Sequence, residues 1–97
     1  MRIAFTASAV REAEEAANWY WERAGDRVRG RLLAEIEGAR KILREQPGIG
    51  TPGLRGTRKL TLGHFPYTLI YRIDADTVRV LAFMHQSRRP YYWRRRR

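Results

Sequence analysis

Ninety-seven residues with 43% hydrophobic content suit one domain with its own core and exclude a disordered chain. The lack of cysteine excludes a disulfide framework and thiolate metal sites, and no eighteen-residue apolar run offers a membrane span. The net charge of +10 sits almost wholly in one half: residues 1–48 hold nine Lys/Arg against eight Asp/Glu, and residues 49–97 hold eleven against two.

Arg2 to Phe5 reads as a first strand, with Ile3 and Phe5 on one side. Thr6 or Ser8 can cap the helix that follows. There Val10, Ala13, Ala17, Tyr20 and Ala24 recur at spacings of three and four, which makes one apolar stripe. Gly25 suits the left-handed position that ends a helix, and Asp26 can cap the next. The second helix carries Val28, Leu32, Ile36, Ala39 and Leu43, with Leu33 and Ile42 widening the stripe and Glu37–Lys41 pairing on the wet side. Pro47 stops it. So short a connection predicts an antiparallel helical hairpin. Residues 47–53 read as a connecting loop; they lack the lysine and following helix of a phosphate-binding P-loop.

The period then switches from 3.6 to 2. Arg58, Leu60 and Leu62 share a face opposite Lys59 and Thr61, and Gly63–His64 makes a turn in which His64 is structural. Phe65, Tyr67, Leu69, Tyr71 and Ile73 alternate with Pro66, Thr68, Ile70 and Arg72. After the hairpin Asp74–Ala75–Asp76, Val78, Val80, Ala82 and Met84 alternate with Arg79, Leu81, Phe83 and His85. The expected fold class is α+β, in the order β-α-α-β-β-β, with the helical hairpin on a small, mainly antiparallel sheet. Residues 1–97 form one domain, with a basic C-terminal tail at about 88–97.

The last strand runs out at Met84–His85–Gln86–Ser87–Arg88–Arg89–Pro90–Tyr91–Tyr92–Trp93, followed by four arginines. Arg58 and Arg72 lie on neighbouring strands, so the expectation is that they approach His85 across the sheet. Such a site could hold phosphates and stack bases, or grip acidic side chains. Arg72 has an alternative in a surface pair with Asp74 or Asp76, and the aromatic tail in covering apolar surface. Arg94 to Arg97 carry no apolar group, so the core is not expected to need them. Trp19, Tyr20 and Trp21 cannot all face the core; an exposed ring there points to a protein interface. No metal-ligand spacing, nucleophile elbow or cofactor motif occurs, so no metal and no cofactor are expected. The one enzymatic mechanism left open is acid–base cleavage of RNA by His85 or a tyrosine, with arginines stabilising the phosphorane. Arg11, Glu12, Glu14 and Glu15 interrupt any N-terminal apolar stretch, so a cytoplasmic location without a membrane partner is expected.

In their order and spacing, several features together resemble the ParE/RelE superfamily of type II toxins. They are the N-terminal strand leading to Thr6, Ala9 and the Tyr20 region, then Leu43, Gln46, Pro47, Gly48 and Gly50, the strand Phe65 to Arg72, and finally His85–Gln86–Ser87–Arg88. The last stretch is more similar to the ParE side, and the lysine-rich second strand typical of RelE is reduced to Lys59. The resemblance implies a growth-arresting, plasmid-stabilising toxin neutralised by an acidic, ParD-like antitoxin. Its target would be DNA gyrase, or alternatively ribosome-bound mRNA cut with His85, Arg58 and Arg72. Target binding is expected of His85, Arg88, Arg89, Tyr91 and Trp93, and antitoxin binding of Trp19, Trp21, Arg58 and Arg72.

Overall fold

The computed structural model describes all residues, Met1–Arg97. Strand β1 (Arg2–Phe5) ends at Thr6, whose hydroxyl accepts the Ala9 amide at 3.2 Å and so satisfies one orphan donor of the helical run α1 (Ala7–Glu45). That run is broken. Gly25 sits at φ 83° and ψ −176°, a conformation that only a residue without Cβ adopts cheaply. The molecule is 38 Å long, whereas an unbroken helix of this length would span about 58 Å. Residues 7–24 and 26–45 are thus two arms of a hairpin, with Val10, Ala13 and Ala17 lining one groove with Leu33 and Ile36.

The hairpin stands as expected, with three corrections in its detail. Gly25 has an extended ψ rather than the left-handed helical one. Val10, Leu33 and Ile42 stay exposed, because the buried stripe is the narrower set Ala9, Ala16, Ala17, Leu32, Ile36, Ala39 and Leu43. Glu37 pairs with Arg40 at 3.5 Å and Arg44 at 3.9 Å, not with Lys41; at this exposure such pairs contribute little.

The sheet has five strands, one more than the sequence suggested: β1, β2 (Thr51–Pro52), β3 (Arg58–Thr61), β4 (Tyr67–Asp74) and β5 (Thr77–His85), in the order β1-β5-β4-β3-β2. The extra one is β2 (Thr51–Pro52), a two-residue edge antiparallel to β3 (Arg58–Thr61), between 3-10 turns at Pro47–Ile49 and Leu54–Gly56. Proline is tolerated on an edge, where no ladder bond is asked of it. The connector is pinned from beneath. Tyr71, fully buried in β4 (Tyr67–Asp74), donates its hydroxyl to the Pro47 carbonyl at 2.6 Å and accepts the Gly50 amide at 2.9 Å.

Antiparallel β4 and β5 (Thr77–His85) form the centre, and β1 joins β5 in parallel. Their register slips: Tyr71 faces Val80, but Ile70 faces Ala82, leaving Leu81 as an extra residue. This β-bulge reverses the alternation of everything after it. Val78 and Val80 face the hairpin, yet so does Phe83 rather than Ala82. Ala82 turns to the opposite face, where it packs with Ile70 and Trp93.

Candidate functional site

The bulge decides where His85 points. Without it, His85 would lie on the face opposite Val78 and Val80. With it, His85 joins Tyr67 and Phe83 as one wall of a cleft of about 390 Å³, and Ala16, Trp19 and Tyr20 from the first arm form the other. The rings follow one another across it. Tyr20 meets Trp19 at 4.9 Å and Tyr67 at 6.5 Å; Tyr67 stacks on Phe83 at 4.6 Å and meets His85 edge-on at 5.0 Å. Burial, and then the nearby Tyr20 hydroxyl, push the Tyr67 phenol above its ordinary pKa, so it remains a neutral hydrogen-bonding group.

His85 is held by the turn after its strand. The Ser87 amide donates to Nδ1 at 3.0 Å, with the Ser87 hydroxyl 2.8 Å from the same atom. An N–H pointing at Nδ1 assigns the proton of the neutral ring to Nε2. The nitrogen free to meet a partner is therefore a donor.

The expected convergence of Arg58 and Arg72 on His85 does not occur. Arg58 is opposite Tyr71, whereas His85 is opposite Tyr67, four residues away, a separation of about 13 Å along the strand. Arg58 is also engaged, donating to the Gly48 and Gly50 carbonyls at 3.1 and 2.8 Å. Arg72 lies on the opposite sheet face with Ile70, 3.8 Å from Asp74, the surface pair that was its alternative. Nor do the four residues assigned to an antitoxin share one patch. Trp19 (46% exposed) and Trp21 (54% exposed) are open on the hairpin, Arg72 faces the other way, and Arg58 is tied to the connector.

Of the C-terminal residues, Arg88 lines the cleft, and Arg89 and Tyr91 are exposed. Trp93 is not a surface anchor: it is 4% exposed, packed on Ile70 and Ala82, because the bulge leaves an apolar strip there to cover. His64 is structural as read, with Nδ1 2.6 Å from the Glu35 carboxylate, which also accepts its amide.

One feature was missed. Glu12 on the first arm, its side chain 11% exposed, accepts from the Tyr92 hydroxyl at 2.7 Å, from Arg96 at 2.8 and 3.1 Å, and from the Phe83 amide at 3.0 Å. The Arg94–Arg97 run is thus not a free tail. A signal existed: Glu12 lies three residues after Ala9 and four before Ala16, on the buried stripe, and an acid there needs a partner. Burial alone would raise its pKa, but the bonds from Arg96, Tyr92 and the Phe83 amide outweigh it and hold the carboxyl below its usual value. A depressed pKa gives stability that is present above the unfolded value and lost as pH falls through the folded one. Urea unfolding of Glu12→Gln and the parent, from neutral to acid pH, should show the gap between them closing on acidification. A constant gap would contradict it.

Residues 3–90 match the model of the ParE toxin family, described as "ParE toxin of type II toxin-antitoxin system, parDE". The chain belongs to the ParE toxin family. It is 38% identical over 85 residues to "Putative toxin Y4kP" of Sinorhizobium fredii (strain NBRC 101917 / NGR234), covering 87% of this chain and 86% of that protein. Its fold is similar to a solved structure described as "Chromosomal ParDE TA system from P. aeruginosa", with a TM-score of 0.77 at 19% identity, over 88% of this chain and 95% of that one. A helical hairpin on a mainly antiparallel sheet is therefore the ParE-like fold, and the sequence resemblance is confirmed on its ParE side. No helix of the chain is long and apolar enough to cross a membrane.

Proposed function

We propose that this ParE-family chain arrests growth by binding DNA gyrase through the His85 cleft and the arginines beside it, and that an acidic, ParD-like antitoxin encoded with it neutralises it. The observation that carries the choice of target is the state of His85. General-base cleavage of RNA needs a free imidazole lone pair close to cations that stabilise the phosphorane. Here the Nδ1 lone pair is occupied by the Ser87 amide, and of the set His85, Arg58 and Arg72 that cleavage would use, only His85 lies in the cleft. What the cleft offers instead is a recognition surface: aromatic walls, an Nε2 donor, and Arg88 at the rim with Arg89 and Tyr91 beyond it. The partly exposed tryptophans of the first arm and the strongly basic second half suit an antitoxin segment that combines apolar anchors with carboxylates. The description of the similar solved structure as a ParDE system supports a partner of this kind.

Single substitutions test this reading. In a gyrase supercoiling assay, His85→Ala should lose about 1–2 kcal/mol of binding, the cost of one truncated contact, and Arg88→Ala at least as much. A His85→Ala protein that binds its target unchanged but loses activity by about 10²–10⁴-fold would identify an acid–base catalyst and reverse the assignment.

A further inference from the structure

β5 has a gap in its strand pairing that the chain closes with one backbone amide and then with side chains. β1 stops at Phe5 opposite Val80, so beyond that point β5 has no neighbouring strand on this side. Thr6 covers the first step, its amide donating to the Val80 carbonyl at 3.0 Å. At the bulge, Arg96 donates to the Leu81 carbonyl at 3.1 Å, and beyond it Glu12 accepts the Phe83 amide at 3.0 Å. A Glu–Arg ion pair therefore stands where a strand would otherwise add. It joins two segments 84 residues apart.

The same carboxylate holds Tyr92, and Tyr92 in turn holds the arginine of the cleft. The Arg88 guanidinium lies 3.8 Å from the Tyr92 ring centroid, and Arg96 lies 4.9 Å from it. Residues 88–97 thus wrap β5 as a strap, with Trp93 seated on the far face and the Arg97 carbonyl accepting from Arg79 at 2.8 Å. Trp93 anchors the middle of the strap, and the hydrogen bonds that tie it to the helical hairpin beside the cleft all run to Glu12. We propose that Glu12 is a positioning residue, which latches this strap to the free edge of β5 and so fixes Arg88 at the mouth of the His85 cleft. Its effect on toxicity rests on the reading that the cleft and its arginines engage the target; its effect on the strap does not.

Limited trypsin digestion of the full-length folded protein reads the latch directly, since the Arg88–Arg89 bond lies within the strap. With opening and closing fast relative to cleavage, Glu12→Gln should be cut there about 10-fold faster, while bonds after Arg27 and Arg29 in the hairpin keep their parent rates. Tyr92→Phe, which keeps the ring and loses the bond to Glu12, should fall between the two. In a growth-arrest titration, Glu12→Gln should require more protein than the parent. An unchanged Arg88–Arg89 rate in both variants would overturn the latch. Equal acceleration in strap and hairpin would make Glu12 a general structural prop and overturn it as well. A released strap with undiminished growth arrest would overturn the positioning role. A parent that arrests no growth would sink the functional reading while the cleavage result still stood.

Discussion

Phe83→Ala is expected to lower the unfolding free energy by about 3–5 kcal/mol, the usual cost of emptying an aromatic site in a core. That is a large share of the roughly 5–15 kcal/mol that holds a small domain together. The ring is 2% exposed and stacked on Tyr67, so its removal also forfeits an aromatic pair that contributes about 0.5–1.5 kcal/mol beyond its buried area. Collapse around the void is resisted from several sides. Leu69 is paired directly opposite, and the Phe83 amide is bound to Glu12. Urea unfolding followed by circular dichroism measures the loss. Phe83→Leu, which keeps most of the volume, should cost about 1 kcal/mol and serves as the control. A loss below about 1 kcal/mol for Phe83→Ala would mean that the cleft wall is not part of the core.

Gly50→Ala should be nearly as damaging, for a reason unrelated to backbone freedom. Gly50 has φ −69° and ψ 154°, which any residue adopts. The difficulty is space. A Cβ there would lie 2.6 Å from the Tyr71 hydroxyl, 2.9 Å from Tyr71 Cε1 and 2.8 Å from the Lys59 carbonyl oxygen. Tyr71 is fully buried and the Lys59 carbonyl belongs to β3, so neither can easily withdraw. Overpacking of this kind costs about 1–3 kcal/mol, and disrupting the hydroxyl's two bonds adds about 1–3 more. A total of about 2–6 kcal/mol is expected in the same unfolding experiment. Tyr71→Phe removes the closest clashing atom, so the double variant should be less destabilised than the sum of the singles. Simple additivity would show that the two residues do not oppose each other.

Both sites mark the boundary of what the sequence makes legible. The periods of 3.6 and 2 are local properties. They placed the hairpin break at Gly25 and the strand tracks through Leu60, Leu69, Tyr71 and Val80. The bulge at Leu81 is not local. Ala82 and Phe83 are both apolar, so strict alternation was satisfied by the wrong face, and only the pairing of Tyr71 with Val80 and of Ile70 with Ala82 reveals the extra residue. From that one slip follow the turn of His85 into the cleft and the bare strip that Trp93 covers. Arg58 and Arg72 were placed correctly on neighbouring strands, but register separated the first from His85 and the sheet face separated the second. The Glu12–Arg96 pair was out of reach as a specific contact, since charge counting names no partner across 84 residues. Exposure at Trp19 and Trp21 was legible because three consecutive large rings cannot all turn inward on one helix.

Giving the purified protein both targets side by side separates gyrase inhibition from RNA cleavage. DNA gyrase is assayed for supercoiling and for stabilised DNA cleavage, and translating ribosomes are assayed for cut mRNA. The predicted result is inhibited gyrase and intact mRNA. Cleaved mRNA with gyrase unaffected would contradict it.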